Sequence, residues 1–396
     1  MMTSLPMRLD PNLAANARYA LDTSPDKVNL AIGTNIGSNG RPWSLAVTYP
    51  SVIGALVQTT GDNCGAYTQV PKDKLEIVAR TLRNMCGIPQ NTSERCVVSW
   101  AAGGGTGALN RAVSLLRLNG SSNLIVQEDG WPGYSALARA HRLHTKKIPI
   151  DLGGDLDVFS EYDDIPIIQL VHNGTGKLTD VDHWKTIMTE FARRNIPVIL
   201  DVPYLGFDAC DRSYREALAI SSIPINASIE SGVLLTIAFS PTKVFNTFAY
   251  RPGGATIVVC RNTKEVQSIE NQLKVVERGS SGFLDVATHA LINALVEKKD
   301  GLCADHELIL QRLAQAQSDW KQNSERTPLG TFFSAEYGGL FRIIPVREGA
   351  LQRLAHRHIH AVDATETKQQ RIRINVMGIP HDRARDIVET ILEEMM

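Results

Sequence analysis

Between residues 96 and 259 short apolar runs alternate with stretches of helical periodicity. The runs at 96–100, 123–127, 145–148, 165–172, 197–201, 234–239 and 255–259 predict strands. Apolar residues recurring every three to four positions predict helices over 108–118, 134–142, 180–194 and 266–277. Strands that are apolar on both faces and separated by helices imply a largely parallel sheet covered on both sides. Upstream, 28–32 reads as a strand, with helices at 12–21, 49–58 and 72–85. Beyond about residue 285 a long polar helical stretch, 288–325, is interrupted near Asp300-Gly301. Strand-like segments at 340–346 and 370–376 and helices at 349–358 and 382–394 follow. The expected class is α/β: a large domain with a mostly parallel, helix-covered sheet, and a smaller α+β domain. The expected division is an arm and part of the small domain at 1–45, a large domain at 46–287 and a small C-terminal domain at 288–396.

Composition narrows the function. The chain has 396 residues, 43% hydrophobic and 21% charged, with a formal net charge of −1. No basic field points to nucleic acid or an anionic membrane. No long uncharged apolar run or leader pattern is seen, so a soluble cytoplasmic protein is expected. Six cysteines lack CxxC pairing and read as reduced thiols, and His356, His358 and His360 read as a helix end; neither is expected to be a metal site.

Several positions at the ends of strand runs carry chemistry. The glycines of Gly103-Gly-Gly105-Thr106-Gly107 open a helix after a strand, where successive N–H groups form a phosphate cradle. The same run fits a loose dinucleotide fingerprint, and a plain tight turn is the alternative. Trp131 is placed to stack on a heteroaromatic ring or to pack in the core. Asn173 is a ring-substituent donor or a turn residue. Asp201 emerges from an apolar run, where it is costly without a cation unless it caps a helix, and Tyr204 follows it. Lys243 ends another run; it either snorkels to solvent or sits in a dry pocket as a nucleophilic amine. A nicotinamide enzyme would explain the glycines yet leave Asp201, Tyr204 and Lys243 without a task.

Together these motifs resemble the fold-type I, pyridoxal-phosphate-dependent aminotransferases, nearest the class I aspartate/aromatic group. The resemblance runs from about Val28 to Gly378 on Gly-Thr-Gly-Ala-Leu, Trp-Pro, His-Asn-x-Thr-Gly, Asp-x-x-Tyr, Ser-x-x-Lys with Arg eight residues on, and Arg-x-Asn-Val-x-Gly. It implies that Lys243 carries pyridoxal 5'-phosphate covalently and moves the substrate α-proton. Asp201 would pair with the ring nitrogen, Asn173 and Tyr204 with the ring 3-oxygen, and Trp131 would stack on the ring. Gly105, Thr106, Ser240 and Arg251 would hold the phosphate, with Tyr67 reaching it from a neighbouring subunit of a homodimer. Arg373 would grip the substrate α-carboxylate beside Gly33, Trp131 and Asn173, and Arg278 would meet a side-chain carboxylate. Substrates would be an L-amino acid and a 2-oxo acid. Departures from the family pattern are Gly174 for proline, Pro241 before the lysine, and Tyr134 for the histidine behind the aspartate. They keep open β/γ-elimination or replacement on the same cofactor. A nicotinamide dehydrogenase and a non-catalytic protein of the same fold are the more distant alternatives.

Overall fold

The computed structural model describes residues 11–43, 45, 47–63, 70–151, 159, 163–366 and 368–395. In chain order the first elements are α1 (Pro11–Leu21), β1 (Val28–Asn29), α2 (Thr48–Asn63), α3 (Lys72–Met85), β2 (Cys96–Ala101) and α4 (Gly104–Arg117). Then come β3 (Asn123–Gln127), α5 (Gly133–Ala140), β4 (His144–Ile148), β5 (Asp164–Gln169), α6 (Val181–Arg193), β6 (Val198–Val202) and α7 (Tyr214–Glu230). The chain continues through β7 (Leu235–Phe239), α8 (Pro241–Val244), β8 (Gly254–Val259), α9 (Val266–Ser280), α10 (Val286–Glu297) and α11 (Lys299–Ser324). It ends with β9 (Phe341–Pro345), α12 (Ala350–His356), β10 (Ile359–His360), β11 (Val362–Asp363), β12 (Arg371–Asn375) and α13 (Ala384–Glu394). Two compact units emerge, a larger one (Ser44–His172 and Lys177–Gln311) and a smaller one comprising the rest.

The larger unit holds a seven-stranded sheet in the order β2-β8-β7-β6-β5-β3-β4. Strands β7, β6, β5, β3 and β4 run parallel, and β8 is antiparallel to both neighbours. Alternate residues of one strand enter opposite cores: Leu200 packs with Ile168 and Ile237 on one face, Ile199 with Ile167 and Ala238 on the other. Both faces are therefore apolar, as the continuous hydrophobic runs require. Full burial of each such aliphatic side chain contributes about 1.5–3 kcal/mol.

Helix α7 and the break before α11 differ from the pattern reading, and α8, β10 and β11 are short elements it did not contain. Helix α7 has no counterpart among the predicted elements, because its moment is diluted and Pro224 lies inside it. A capping box, Ser213 with Glu216, nevertheless starts it, and Ser228 Oγ donates to the Pro224 carbonyl and accepts from Trp184 Nε1. The interruption expected at Asp300-Gly301 falls instead at Lys298, between α10 and α11.

In the smaller unit β11-β12-β9 form an antiparallel sheet, and β1 pairs in parallel with β10. Gly378 shows why this segment needs glycine: a Cβ there would lie 2.4 Å from the Asn29 carbonyl oxygen.

Candidate active site

In the larger unit the candidate residues gather at the C-terminal ends of parallel strands, where open α/β sheets bind ligands. Asp201 is the penultimate residue of β6, 5% exposed, and its register partner on β7 is the small Ala238. On its other side it pairs with Gln169 of β5. Tyr134, buried in the first turn of α5, donates its hydroxyl to Asp201 Oδ2 at 2.5 Å. Burial raises the Asp201 carboxyl to about 6, against the opposing pull of the Tyr134 bond, the Lys243 charge and a Gln169 bond. The same burial, together with the Asp201 charge, pushes the Tyr134 phenol well above its ordinary value, so it remains a donor. Asp201 is thus a dry carboxylate short of positive charge, which a cationic ring nitrogen would supply.

Lys243 lies in the four-residue helix α8, directly after β7. Its Nζ sits 5.0 Å from the centre of the Tyr204 ring and 5.8 Å from that of Phe248. Pro241 occupies the first turn of α8, where a missing N–H costs nothing and a fixed φ favours the helix. The proline before the lysine therefore pre-sets the turn that presents it. Trp131 meets Tyr134 edge to face at 5.4 Å, so the indole stands beside the aspartate's partner. Buried His172 bonds through Nε2 to the Glu128 carbonyl, and burial lowers it to about 4.

The glycine run forms the cradle floor. Gly103 caps α4 with φ 90°, and the first-turn N–H groups of α4, among them that of Thr106, are left without an acceptor inside the helix. A Cβ on Gly105 would come within 2.8 Å of Ser240 Cβ, and one on Gly104 within 2.8 Å of Thr242 Oγ1. Gly104 also bridges to Gly253, two residues beyond the exposed Arg251, whose φ is 43°. Gly105, Ser240, Thr242 and the Arg251–Gly254 turn thus converge around one helix N-terminus. That set of backbone and hydroxyl donors suits a phosphate.

The remaining candidates are distributed as follows. Asn173 is buried in a segment, Asn173–Gly176, that groups with the smaller unit. There Gly176, at φ +75°, accepts from the Gly338 N–H, and a Cβ on it would lie 2.2 Å from Arg342 Nη1. The same Cβ would lie 2.3 Å from the Gly338 carbonyl oxygen, so this turn demands glycine at position 176. Arg373, on β12, is 7% exposed and stacks its guanidinium 4.3 Å from the Phe341 ring centre. Asn375, two residues along the same strand face, donates to the Ile32 and Thr34 carbonyls and so pins the turn holding Gly33. Arg278 is exposed in the last turn of α9. Tyr67 lies outside the described residues.

Sequence reasoning gave no role to Gln169, Thr242 or Asn375, and treated Tyr134 only as a departure. The side-chain bond to Asp201 spans 67 residues and has no local signal; Asn375 sat within a quoted motif and was the accessible one. Among the described residues no helix is long and apolar enough to cross a membrane.

A family model described as aminotransferase class I and II matches residues 25–391. The mitochondrial aspartate aminotransferase of Gallus gallus is 23% identical over 296 residues, covering 68% of this chain and 64% of that protein. The mitochondrial aspartate aminotransferase of Xenopus tropicalis is 26% identical over 287 residues, with coverage of 68% and 64%. Each match therefore spans less than two thirds of the relative's length. The aromatic-amino-acid aminotransferase of Burkholderia pseudomallei, solved covalently bound to pyridoxal phosphate, superposes with a TM-score of 0.82 at 19% identity. That superposition covers 99% of this chain and 98% of the other, and it shows the shared fold.

Proposed function

The chain belongs to the aminotransferase class I and II family, and from that premise we propose that it is a pyridoxal-phosphate-dependent aminotransferase. Its substrates in this reading are an L-amino acid and a 2-oxo acid. The observation that carries the proposal is the triplet of Lys243 after β7, buried Asp201 on the adjacent β6, and the glycine cradle after β2, two strands from β7. Family membership sets aside the nicotinamide reading of the glycines. Among the described residues no contact in the site favours elimination or replacement over transamination.

When bound, pyridoxal phosphate supplies an electron sink for charge developing at the substrate Cα. The residues of this chain do the rest. Gly105, Thr106, Ser240 and Arg251 hold the phosphate; Trp131 covers the ring; Asp201 keeps the ring nitrogen protonated by accepting its hydrogen bond. Tyr204 and Asn173 hydrogen-bond the ring 3-oxygen. Lys243 would anchor the cofactor through Nζ, and the same nitrogen would carry a proton at the substrate Cα. Arg373 holds the α-carboxylate with its fork, near the Gly33 turn. Tyr67 and Arg278 are assigned across a homodimer interface, to the phosphate and to a side-chain carboxylate respectively. A large domain at 46–287, flanked by 1–45 and 288–396 as arm and small domain, remains the proposed division, and the cytoplasm the proposed compartment. Support for the compartment is the thiols of Cys86, Cys96, Cys260 and Cys303, which form no disulfide.

The test is to purify Lys243→Ala beside the wild type, record visible absorbance, and treat both with borohydride. Wild type should fix the cofactor covalently and form a 2-oxo acid and an aminated acceptor in equal amounts. Equal cofactor fixation in the variant would end the proposal.

A further inference from the structure

The guanidinium assigned to the substrate carboxylate already has a neighbour. Arg373 Nη2 donates to Oδ1 of Asn12, in the first turn of α1. The helix that carries Asn12 is fastened at several points within the smaller unit. Ala15 is fully buried against Ala31 and Val362, and Arg18 Nη2 donates to the Ala361 carbonyl at 3.2 Å. Asp22, just past the helix end, bonds His358 Nδ1 at 3.0 Å and His360 Nε2 at 2.7 Å. The Arg373 guanidinium is confined on another side by the Phe341 ring. An arginine with a long, rotamer-rich stem is thereby held by a stacked ring and an oriented acceptor.

The chemistry of the acceptor matters. An amide oxygen orients an N–H without adding charge, so the guanidinium keeps its full attraction for an incoming carboxylate. A carboxylate of the same shape would form an ion pair with Arg373 and compete with the ligand. We propose that Asn12 is a positioning residue for Arg373: the arm helix sets the direction of the fork and leaves its charge available to the substrate. The proposal rests on Arg373 being the carboxylate anchor.

The test titrates the pyridoxal-phosphate-loaded enzyme with 3-phenylpropionate, a carboxylate without an amino group, by calorimetry, and measures KM and kcat separately. Losing one orienting hydrogen bond should weaken binding about fivefold in Asn12→Ala. The isosteric Asn12→Asp should weaken it further, by about thirtyfold, because its charge occupies the fork. The penalty should appear in KM more than in kcat. If Asn12 only packs α1 in place, Asn12→Asp should behave like wild type and Asn12→Ala should be the worse of the two; that ordering overturns the proposal, as does unchanged or tighter binding in both. If Asn12→Asp does not fold, Asn12→Leu, similar in size and without an acceptor, replaces it. Weakening of about fivefold then supports the proposal and unchanged affinity overturns it. Arg373→Ala separates the two levels. Should it bind 3-phenylpropionate as wild type does, the anchor reading fails and takes the proposal with it; should it lose binding while the Asn12 variants do not, only the role of Asn12 falls.

Discussion

Replacing Tyr134 by phenylalanine tests how the buried aspartate is kept ionised. In the wild type without cofactor, burial lifts Asp201 from 3.8 to about 6, and the Tyr134 hydroxyl opposes that rise. A hydrogen bond to a charged group is worth about 1.5–3 kcal/mol, so losing it should raise the carboxyl by roughly a further one to two pH units. The sign follows from linkage. A carboxyl whose folded value exceeds its unfolded value contributes stability that is complete below about pH 4. In the wild type that contribution is lost as pH rises to about 6. In Tyr134→Phe the loss should continue to roughly pH 7–8. Between pH 6 and 8 the variant should therefore lose an additional ~1.5–3 kcal/mol, while this group leaves the wild type level. Thermal unfolding of the cofactor-free proteins across that range reads the difference as a melting point falling by about 2–5 °C in the variant. Adding Asp201→Asn to Tyr134→Phe should abolish the extra slope, because the titrating group is gone. Parallel wild-type and variant profiles between pH 6 and 8 would refute the idea that Tyr134 tunes Asp201.

Three further outcomes follow from the geometry. Gly105→Ala places a methyl 2.8 Å from Ser240 Cβ inside the cradle; its cofactor affinity, measured by fluorescence titration, should drop at least about tenfold while secondary structure by circular dichroism is kept. Gly176→Ala meets both φ +75° and a 2.2 Å approach to Arg342 Nη1, so it should cost about 2–4 kcal/mol in denaturant unfolding. His172, lowered to about 4 by burial, should show no imidazole titration by NMR between pH 5.5 and 8, pH values bracketing the ordinary range of about 6.5.

Much of the fold was legible in the chain because its signals are local. The strands of the larger sheet lie within a residue or two of their apolar runs, β5 apart, whose predicted run overshot into the segment ending at His172. Strands buried on both faces need no partner to be recognised. Helix α7 was missed because the pattern sought was an apolar stripe, whereas its start is marked by Ser213 and Glu216 and its middle is interrupted by Pro224. In the site, Lys243, Asp201 and the glycines stood out because each breaks a hydrophobic run at its end, where a charge or a missing side chain needs a reason. Pro241 was read as odd only while the short helix it begins was unknown.

What the sequence determined alone is therefore the set of groups that burial would make costly without a ligand: a lysine, an aspartate and a row of glycines, all near strand ends. What only the tertiary structure decided is who stands next to them. Tyr134 reaches Asp201 across 67 positions, and Asn12 reaches Arg373 across 361. Periodicity encodes which face of an element is buried, since that depends on residues three or four apart or on alternate ones. It carries no information about which distant side chain will share a low-dielectric pocket, because that depends on how separate elements pack. The strength of a buried charge is set by that packing, so the chemistry of Asp201 and the aim of Arg373 belong to the fold.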